Sequence, residues 1–130
     1  MNNSLPPQLS ALNARFDTGS RKDKCLKVSF RPGPERFTSF NCLSGGSIAE
    51  MLDQAATHCG TLTTGLGLPT LTMTVSYLRA GTGSLFVATA RVLMVTTTAA
   101  VLGADVADQH GNPIASASVV AQLRDISRYA

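Results

Sequence analysis

The chain has 130 residues, of which 44% are hydrophobic and 15% charged, values typical of a single globular domain. Eleven Lys and Arg against eight Asp and Glu give a net charge of +3, and no run of three basic residues concentrates that charge. Trp is absent, and five Phe and two Tyr offer few stacking platforms for bases. The composition therefore does not indicate a nucleic-acid partner.

Cysteine content and hydropathy indicate the cellular compartment in which the chain is expected to fold. Three cysteines, none in a Cys-x-x-Cys pair, and two histidines predict neither a disulfide framework nor a zinc site. The start of the chain contains Pro6 and Pro7 and lacks a basic segment and a continuous apolar stretch, so it does not resemble a secretory signal. The most apolar window, residues 85–95, contains Arg91 and is shorter than the roughly 20 residues of a membrane helix. We expect a cytoplasmic protein without a metal, a cofactor or a membrane partner.

The first half of the chain predicts two helices and one or two strands. A short amphipathic helix that includes Leu9, Leu12 and Phe16 is expected after Pro7. Residues 25–30 alternate in hydropathy as a half-buried strand does, and residues 36–40 could pair back as a second strand. Between residues 47 and 59, apolar side chains recur at helical spacing, and Gly60 stands where a helix is expected to end.

The second half predicts a loop followed by four strands. Residues 61–69 are rich in Gly and Thr, and residues 71–77 then alternate between apolar and polar side chains. Three further β-rich runs follow, at residues 84–95, 98–108 and 114–124. We expect these strands to form an antiparallel meander, with 84–95 in a central position because both of its faces are apolar. The pattern predicts an α+β domain over residues 25–130 whose sheet wraps the long helix, preceded by an N-terminal extension, residues 1–24.

Asp53 is the candidate catalytic residue, because it lies on a helix whose other interior positions are apolar. A carboxylate in a poorly solvated cleft can act as a general base or as a nucleophile. The alternative is a solvated carboxylate on the helix surface. Gly45 and Gly46, at the start of the same helix, leave backbone N–H groups that can polarise a carbonyl or hold an anion. The alternative there is a plain turn.

Other candidate residues do not form a convincing site. Ser47 lies in a Gly-Gly-Ser-Ile-Ala segment that superficially resembles a nucleophile elbow, but Ala49 replaces the last glycine and the chain is too short for the large sheet of such enzymes. His58 lies about 140° around the helix from Asp53, and His110 lies in a predicted turn, so neither forms a dyad or a metal pair with Asp53.

Three segments resemble the hotdog-fold thioesterases of the phenylacetate-degradation (PaaI-like) group: GGSIAEMLDQA at 45–55, TMTVSYLR at 72–79 and DQHG at 108–111. The similarity covers about residues 25–124. In that family a His-Gly-Gly turn opens the central helix, and an acidic residue follows eight positions after the first glycine. Gly45 and Asp53 have this spacing. The resemblance implies a hotdog fold, in which an antiparallel β-sheet wraps around one long central helix.

The resemblance also implies a function. It indicates hydrolysis of an aromatic or short-to-medium-chain acyl-CoA, with Asp53 as general base or nucleophile and the Gly45 amide polarising the thioester carbonyl. Thr70 falls near the position where many members place a hydroxyl that orients the water. The substrate-binding candidates are Gly46, Ser44, Thr38, Asn41, Thr70 and Arg79. Active sites of the family lie between subunits, so the resemblance implies an obligatory homodimer, which members often pair into a homotetramer.

The sequence departs from the family pattern at three places, and the first and the third of them support a rival hypothesis. Ser44 replaces the histidine, Thr38, with Asn41 nearby, stands where an asparagine commonly helps to hold the reacting group, and residues 95–98 replace a glycine and basic residues that can meet the CoA phosphates. The candidate phosphate partners that remain are Arg79 and Arg91. The rival is a non-catalytic hotdog protein that binds an acyl ligand or a partner. A hotdog hydratase ranks last, because no histidine partner for its aspartate is evident.

Overall fold

The computed structural model describes residues 6–125, which form one sheet around one long helix. The helices are α1 (Pro7–Ser10) and α2 (Gly45–Thr64), and a 3-10 turn covers Pro34–Arg36. The strands are β1 (Ala14–Ser20), β2 (Cys25–Phe30), β3 (Thr70–Tyr77), β4 (Phe86–Val95), β5 (Ala99–Asp108) and β6 (Pro113–Gln122). Their order in the sheet is β1-β2-β4-β5-β6-β3, with every neighbouring pair antiparallel. No helix among residues 6–125 is long and apolar enough to cross a membrane.

The core lies between α2 and the concave face of the sheet. The buried apolar side chains of α2 are those that the helical spacing predicted: Ile48, Met51, Leu52, Ala55, Ala56 and Cys59. They pack against β4 and β5, where Ala88, Ala90 and Ala104 leave room for the helix to lie close to the sheet. Burial of each large apolar side chain contributes about 1.5–3 kcal/mol, so this face holds α2 in place.

The long helix begins near its predicted start and ends later than expected. Ser44 caps its N-terminus, where Ser44 Oγ accepts a hydrogen bond from the Ser47 amide at 3.2 Å. The expected stop at Gly60 is wrong, because the helix continues to Thr64 and is followed by Gly65, which takes the left-handed conformation with φ of 75°. Gly60 is a close-packing position, since a Cβ there would overlap the side chain of Leu68.

Residues before the helix differ most from the sequence-based expectation. The helix after Pro7 ends at Ser10, and Phe16 lies in β1, so the sheet begins at Ala14 rather than at Cys25. The expected second strand at residues 36–40 is absent, and only an isolated bridge between Phe37 and Leu43 remains there. The prolines on either side of Gly33 favour the short 3-10 turn at this point instead.

The expected meander is wrong for one strand. Strand β3 pairs with β6 rather than with β4, and β4 lies between β2 and β5. The prediction that residues 84–95 form an interior strand is confirmed, because β4 pairs with β2 on one side and with β5 on the other. As a result β1 and β3 form the two opposite edges of the sheet and flank opposite sides of α2.

Candidate active site

Asp53 lies on the side of α2 that faces β3. Thr70, the first residue of β3, donates a hydrogen bond from Oγ1 to Asp53 Oδ1 at 2.5 Å. Asp53 is half-buried, and its second carboxylate oxygen has no hydrogen-bond partner among residues 6–125. The Thr70 hydroxyl can still accept a hydrogen bond while it donates to Asp53, because a hydroxyl has one proton and two lone pairs. Asp53 Oδ1 is therefore fixed by Thr70, and Oδ2 is free to accept a hydrogen bond from a water molecule or to approach a substrate.

The start of α2 presents two unpaired backbone donors. The Ser47 amide is bound by Ser44 Oγ, and the Ile48 amide donates to the Ser44 carbonyl at 3.1 Å. The amides of Gly45 and Gly46 have no acceptor among residues 6–125. Both residues are exposed at the positive end of the helix dipole. This geometry suits a developing negative charge on an oxygen.

Nothing among residues 6–125 requires glycine at either position. Neither Gly45 nor Gly46 has a positive φ. A Cβ on Gly46 would meet no atom within 4 Å, and a Cβ on Gly45 would lie 3.4 Å from the Tyr77 hydroxyl, an ordinary contact. Glycine in a helix costs roughly 0.5–1 kcal/mol relative to alanine. The cost is explained if the space before these amides must stay open for a group from outside the chain.

A tyrosine that the sequence analysis did not single out supports the start of the helix. The Tyr77 hydroxyl, at the end of β3, donates to the Gly45 carbonyl oxygen at 2.6 Å. Arg36 pairs with Glu50 at 2.8 Å, and its carbonyl accepts from the Ser44 amide. The only signal in the sequence for the contact between Tyr77 and Gly45 is a tyrosine at the end of an alternating strand. No local pattern predicts the pair of Arg36 and Glu50.

Asp53 and Gly45 are not brought together within one chain. They are eight residues apart on one helix, which corresponds to about 12 Å along its axis. A single thioester carbonyl cannot contact both groups at that separation. Each of them instead contacts one end of β3, Asp53 through Thr70 and Gly45 through Tyr77.

The remaining predicted substrate contacts serve the local backbone. The Ser44 hydroxyl donates to Ser47 Oγ at 2.8 Å, so its proton is used in the helix cap. Thr38 and Asn41 form an exposed turn just before α2, in which Thr38 Oγ1 accepts from the Phe40 amide. Neither of them hydrogen-bonds to Asp53 or Gly45.

The candidate phosphate-binding arginines lie on the surface. Arg79 is exposed after β3, and its backbone amide donates to the Ile114 carbonyl at 3.2 Å. The guanidinium of Arg91 pairs with Asp105 at 2.8 Å, with about half of each side chain exposed. This pair occupies Arg91 in an ordinary surface interaction.

The DQHG segment forms a structural turn between β5 and β6. Burial alone would raise the pKa of Asp108, but hydrogen bonds from the Asn112 side chain and from the Asn112 and His110 amides outweigh it and lower that pKa. Gly111, with φ of 83°, completes the turn. In the core, burial raises the pKa of the Cys59 thiol to about 11. Among residues 6–125, no group of three or more His, Cys, Asp or Glu side chains could hold a metal ion.

Comparison with known proteins defines the class of this chain. The family model described as thioesterase superfamily matches residues 40–115. This match covers more than half of the chain, and the chain therefore belongs to the thioesterase superfamily, a class of thioester hydrolases. No curated protein matches the sequence.

Solved structures show the same fold. A phenylacetic acid degradation-related protein from Ralstonia eutropha JMP134 has a TM-score of 0.86 at 18% identity, over 92% of this chain and 91% of that one. The PaaI protein from the phenylacetic acid degradation operon of E. coli has a TM-score of 0.81 at 16% identity, over 88% and 82%. A hypothetical thioesterase from Streptococcus pneumoniae TIGR4, solved with coenzyme A, has 0.78 at 19%, over 90% and 91%. The sheet wrapped around one long helix is the hotdog fold, as the resemblance implied.

Proposed function

We propose that the protein is a PaaI-like acyl-CoA thioesterase that hydrolyses an aromatic or short-to-medium-chain acyl-CoA to the free acid and CoA. The observation that carries the proposal is the Asp53 carboxylate, held by Thr70 on a helix whose first two amides are unpaired. The Streptococcus relative solved with coenzyme A supports this carrier. That relative has also been solved with one aspartate and with one threonine replaced by alanine, the two residue types of the pair found here.

A dimer formed through β3 would complete the site. Strand β3 is an edge of the sheet, and its outer side pairs with no strand among residues 6–125. Two copies that pair at this edge about a two-fold axis run antiparallel, so the Tyr77 end of one strand lies beside the Thr70 end of the other. Because Tyr77 contacts Gly45 and Thr70 contacts Asp53, this arrangement brings Gly45 of one subunit towards Asp53 of its partner.

The chemistry follows from these groups. Acting as a base, Asp53 takes a proton from a water molecule as the water oxygen attacks the thioester carbonyl carbon. Acting as a nucleophile, Asp53 attacks that carbon itself, and water then hydrolyses the resulting anhydride. In both routes the carbonyl oxygen becomes negative, and the Gly45 amide stabilises it before the C–S bond breaks and the CoA thiolate leaves. Thr70 orients the carboxylate and the water.

The alternative function is a hotdog protein that binds an acyl ligand without turnover. The observation in its favour is the exposed Thr96–Thr98 turn between β4 and β5, which carries no basic side chain, while Arg91 is occupied by Asp105. Such a protein would hold an acyl group but would release no thiol.

Thiol release from short, medium, long and aromatic acyl-CoAs separates the two functions. Wild-type protein should release CoA, and Asp53→Asn should lower kcat by at least about 100-fold with fold and assembly unchanged, because base catalysis contributes about 100- to 10,000-fold. Asp23→Asn, a change of an exposed carboxylate in the turn between β1 and β2, is the matched control and should behave as wild type. Equal turnover by Asp53→Asn would refute the role of Asp53. A folded protein that releases no thiol from any substrate would support the binding function.

A further inference from the structure

A pocket separate from the candidate active site lies on the side of α2 opposite Asp53. Its volume is about 330 Å³, and it is lined by β1, by Leu26 of β2 and by the second half of α2. Ligand sites in proteins measure about 300–1,000 Å³, so the pocket suits a molecule of about one aromatic ring. Asp53, Thr70 and Gly45 do not line it. Since β1 and β3 are opposite edges of the sheet, the pocket is separate from the proposed active site.

A bulge in β1 shapes the pocket. The register of β1 against β2 shifts at Asp17, whose carboxylate accepts a hydrogen bond from Ser29 and pairs with Arg15 at 3.0 Å. Ser29 alternates with Val28, whose side chain lies in the core, so the Asp17 carboxylate that is bound to Ser29 lies toward the opposite face of the sheet. Gly19 lets the strand approach α2, because a Cβ there would lie 3.0 Å from Leu62 Cδ2.

Two side chains of α2 offer polar atoms to this mostly apolar pocket. His58 Nδ1 lies 2.8 Å from the Gln54 carbonyl oxygen, which can only accept, so Nδ1 is the donor, and in the uncharged tautomer this leaves Nε2 as an acceptor. Nε2 has no partner among residues 6–125. Thr61 lies three residues further along, on the same side of the helix. Unlike the hydroxyls of Thr57 and Thr64, which donate to helix carbonyls, the Thr61 hydroxyl has no hydrogen-bond partner among residues 6–125.

We propose that this pocket is a second ligand site, for an uncharged molecule of about one aromatic ring that carries a hydroxyl. The hydroxyl donates to His58 Nε2 and accepts from the Thr61 hydroxyl. The ring packs between Leu26, Leu62 and Phe16, whose own ring centroid lies 5.9 Å from that of His58. A carboxylate has no proton to offer Nε2, so the site favours a neutral hydroxyl over an acid.

Three probes with one tolyl ring test the chemistry: p-cresol, toluene and p-toluate, each titrated at pH 8. Binding is followed by the NMR signals of the imidazole Cε1–H groups, of which the chain has two. His110, in the turn between β5 and β6, is the internal control. p-Cresol should shift the His58 signal alone and bind two- to tenfold more tightly than toluene, about the range that one hydrogen bond contributes. p-Toluate should bind more weakly than either.

Variants locate the binding. Leu62→Trp fills the pocket and should abolish the shift of His58 by p-cresol, whereas the matched Leu93→Trp, at an exposed position on β4, should not. His58→Phe keeps a ring and loses the acceptor, and it should reduce p-cresol affinity to that of toluene, measured by calorimetry on protein shown to be folded by circular dichroism. Asp53→Asn should bind p-cresol as wild type does, which separates this result from any result on thioester hydrolysis.

Several outcomes would overturn the proposal. These are no binding of p-cresol at millimolar concentration, equal affinity for p-cresol and toluene, or tighter binding of p-toluate. A change in the mass of the assembly on Leu62→Trp would identify the pocket as a subunit interface and would equally overturn it.

Discussion

Replacing Gly45 with proline removes one N–H group and leaves the rest of the helix start unchanged. Gly45 is the first residue of α2, the position at which proline is favoured because its missing N–H would have no partner in the helix. The preceding Ser44 has φ of −63° and ψ of 145°, a conformation that a following proline accepts. Space for the added Cβ is present beside Tyr77.

The two expected effects have opposite directions. A proline in a compatible position stabilises a protein by about 0.4–1 kcal/mol through the unfolded state. For a chain of this length, that change raises Tm by about 2–4 °C. Removal of one oxyanion donor lowers kcat by about 100- to 1,000-fold. We therefore expect a more stable protein that is a much poorer thioesterase.

The assay pairs thermal unfolding with thiol release from the best acyl-CoA substrate. Gly45→Ala is the matched control, because it places a Cβ at the same position beside Tyr77 and keeps the backbone amide. Turnover by Gly45→Pro within a few-fold of wild type would refute the Gly45 amide as the oxyanion donor. A lower Tm would show that the start of the helix does not tolerate proline and would refute the conformational argument.

Three further predictions follow from the site and from the β5–β6 turn. Mixing inactive Gly45→Pro with inactive Asp53→Asn should restore about a quarter of wild-type turnover after subunit exchange, because half of the dimers are mixed and each then has one intact site; no recovery would contradict a site shared between subunits. Tyr77→Phe, which loses the bond to the Gly45 carbonyl, should lower kcat up to about tenfold with KM nearly unchanged, as one hydrogen bond contributes about 0.5–1.5 kcal/mol; steady-state kinetics would show this split. The lowered pKa of Asp108 means that its contribution to stability is complete above the ordinary value of 3.8 and is lost as the pH falls through the folded value; Asp108→Asn should therefore be less stable at pH 7 and should flatten the acid limb of a Tm-against-pH profile.

Local patterns were sufficient for the elements that carry most of the core. The apolar spacing predicted the face of α2 that is buried, and alternation located β2, β3, β4, β5 and β6 to within about two residues. The spacing of Gly45 and Asp53, with the resemblance it carries, indicated the family before any tertiary contact was known. Periodicity is a property of neighbouring residues, so a single sequence is enough to display it.

Contacts between distant residues account for what the sequence did not reveal. Phe16 satisfies a helical spacing with Leu9 and Leu12, yet it lies in β1, because pairing with β2 offers that segment a whole strand of hydrogen bonds. Gly60 has the composition of a helix stop, but its lack of a side chain serves packing against Leu68.

The sequence by itself therefore determined the elements, the buried face of the helix and the residue types of the site. The tertiary structure alone decided the strand order, which places β3 at an edge, and the two contacts that link Thr70 to Asp53 and Tyr77 to Gly45. The physical reason is that backbone propensity and hydropathy act between neighbours along the chain. The choice of strand partner, and the approach of a hydroxyl to a carboxylate 17 residues away, depend on how the whole chain buries its apolar surface at once.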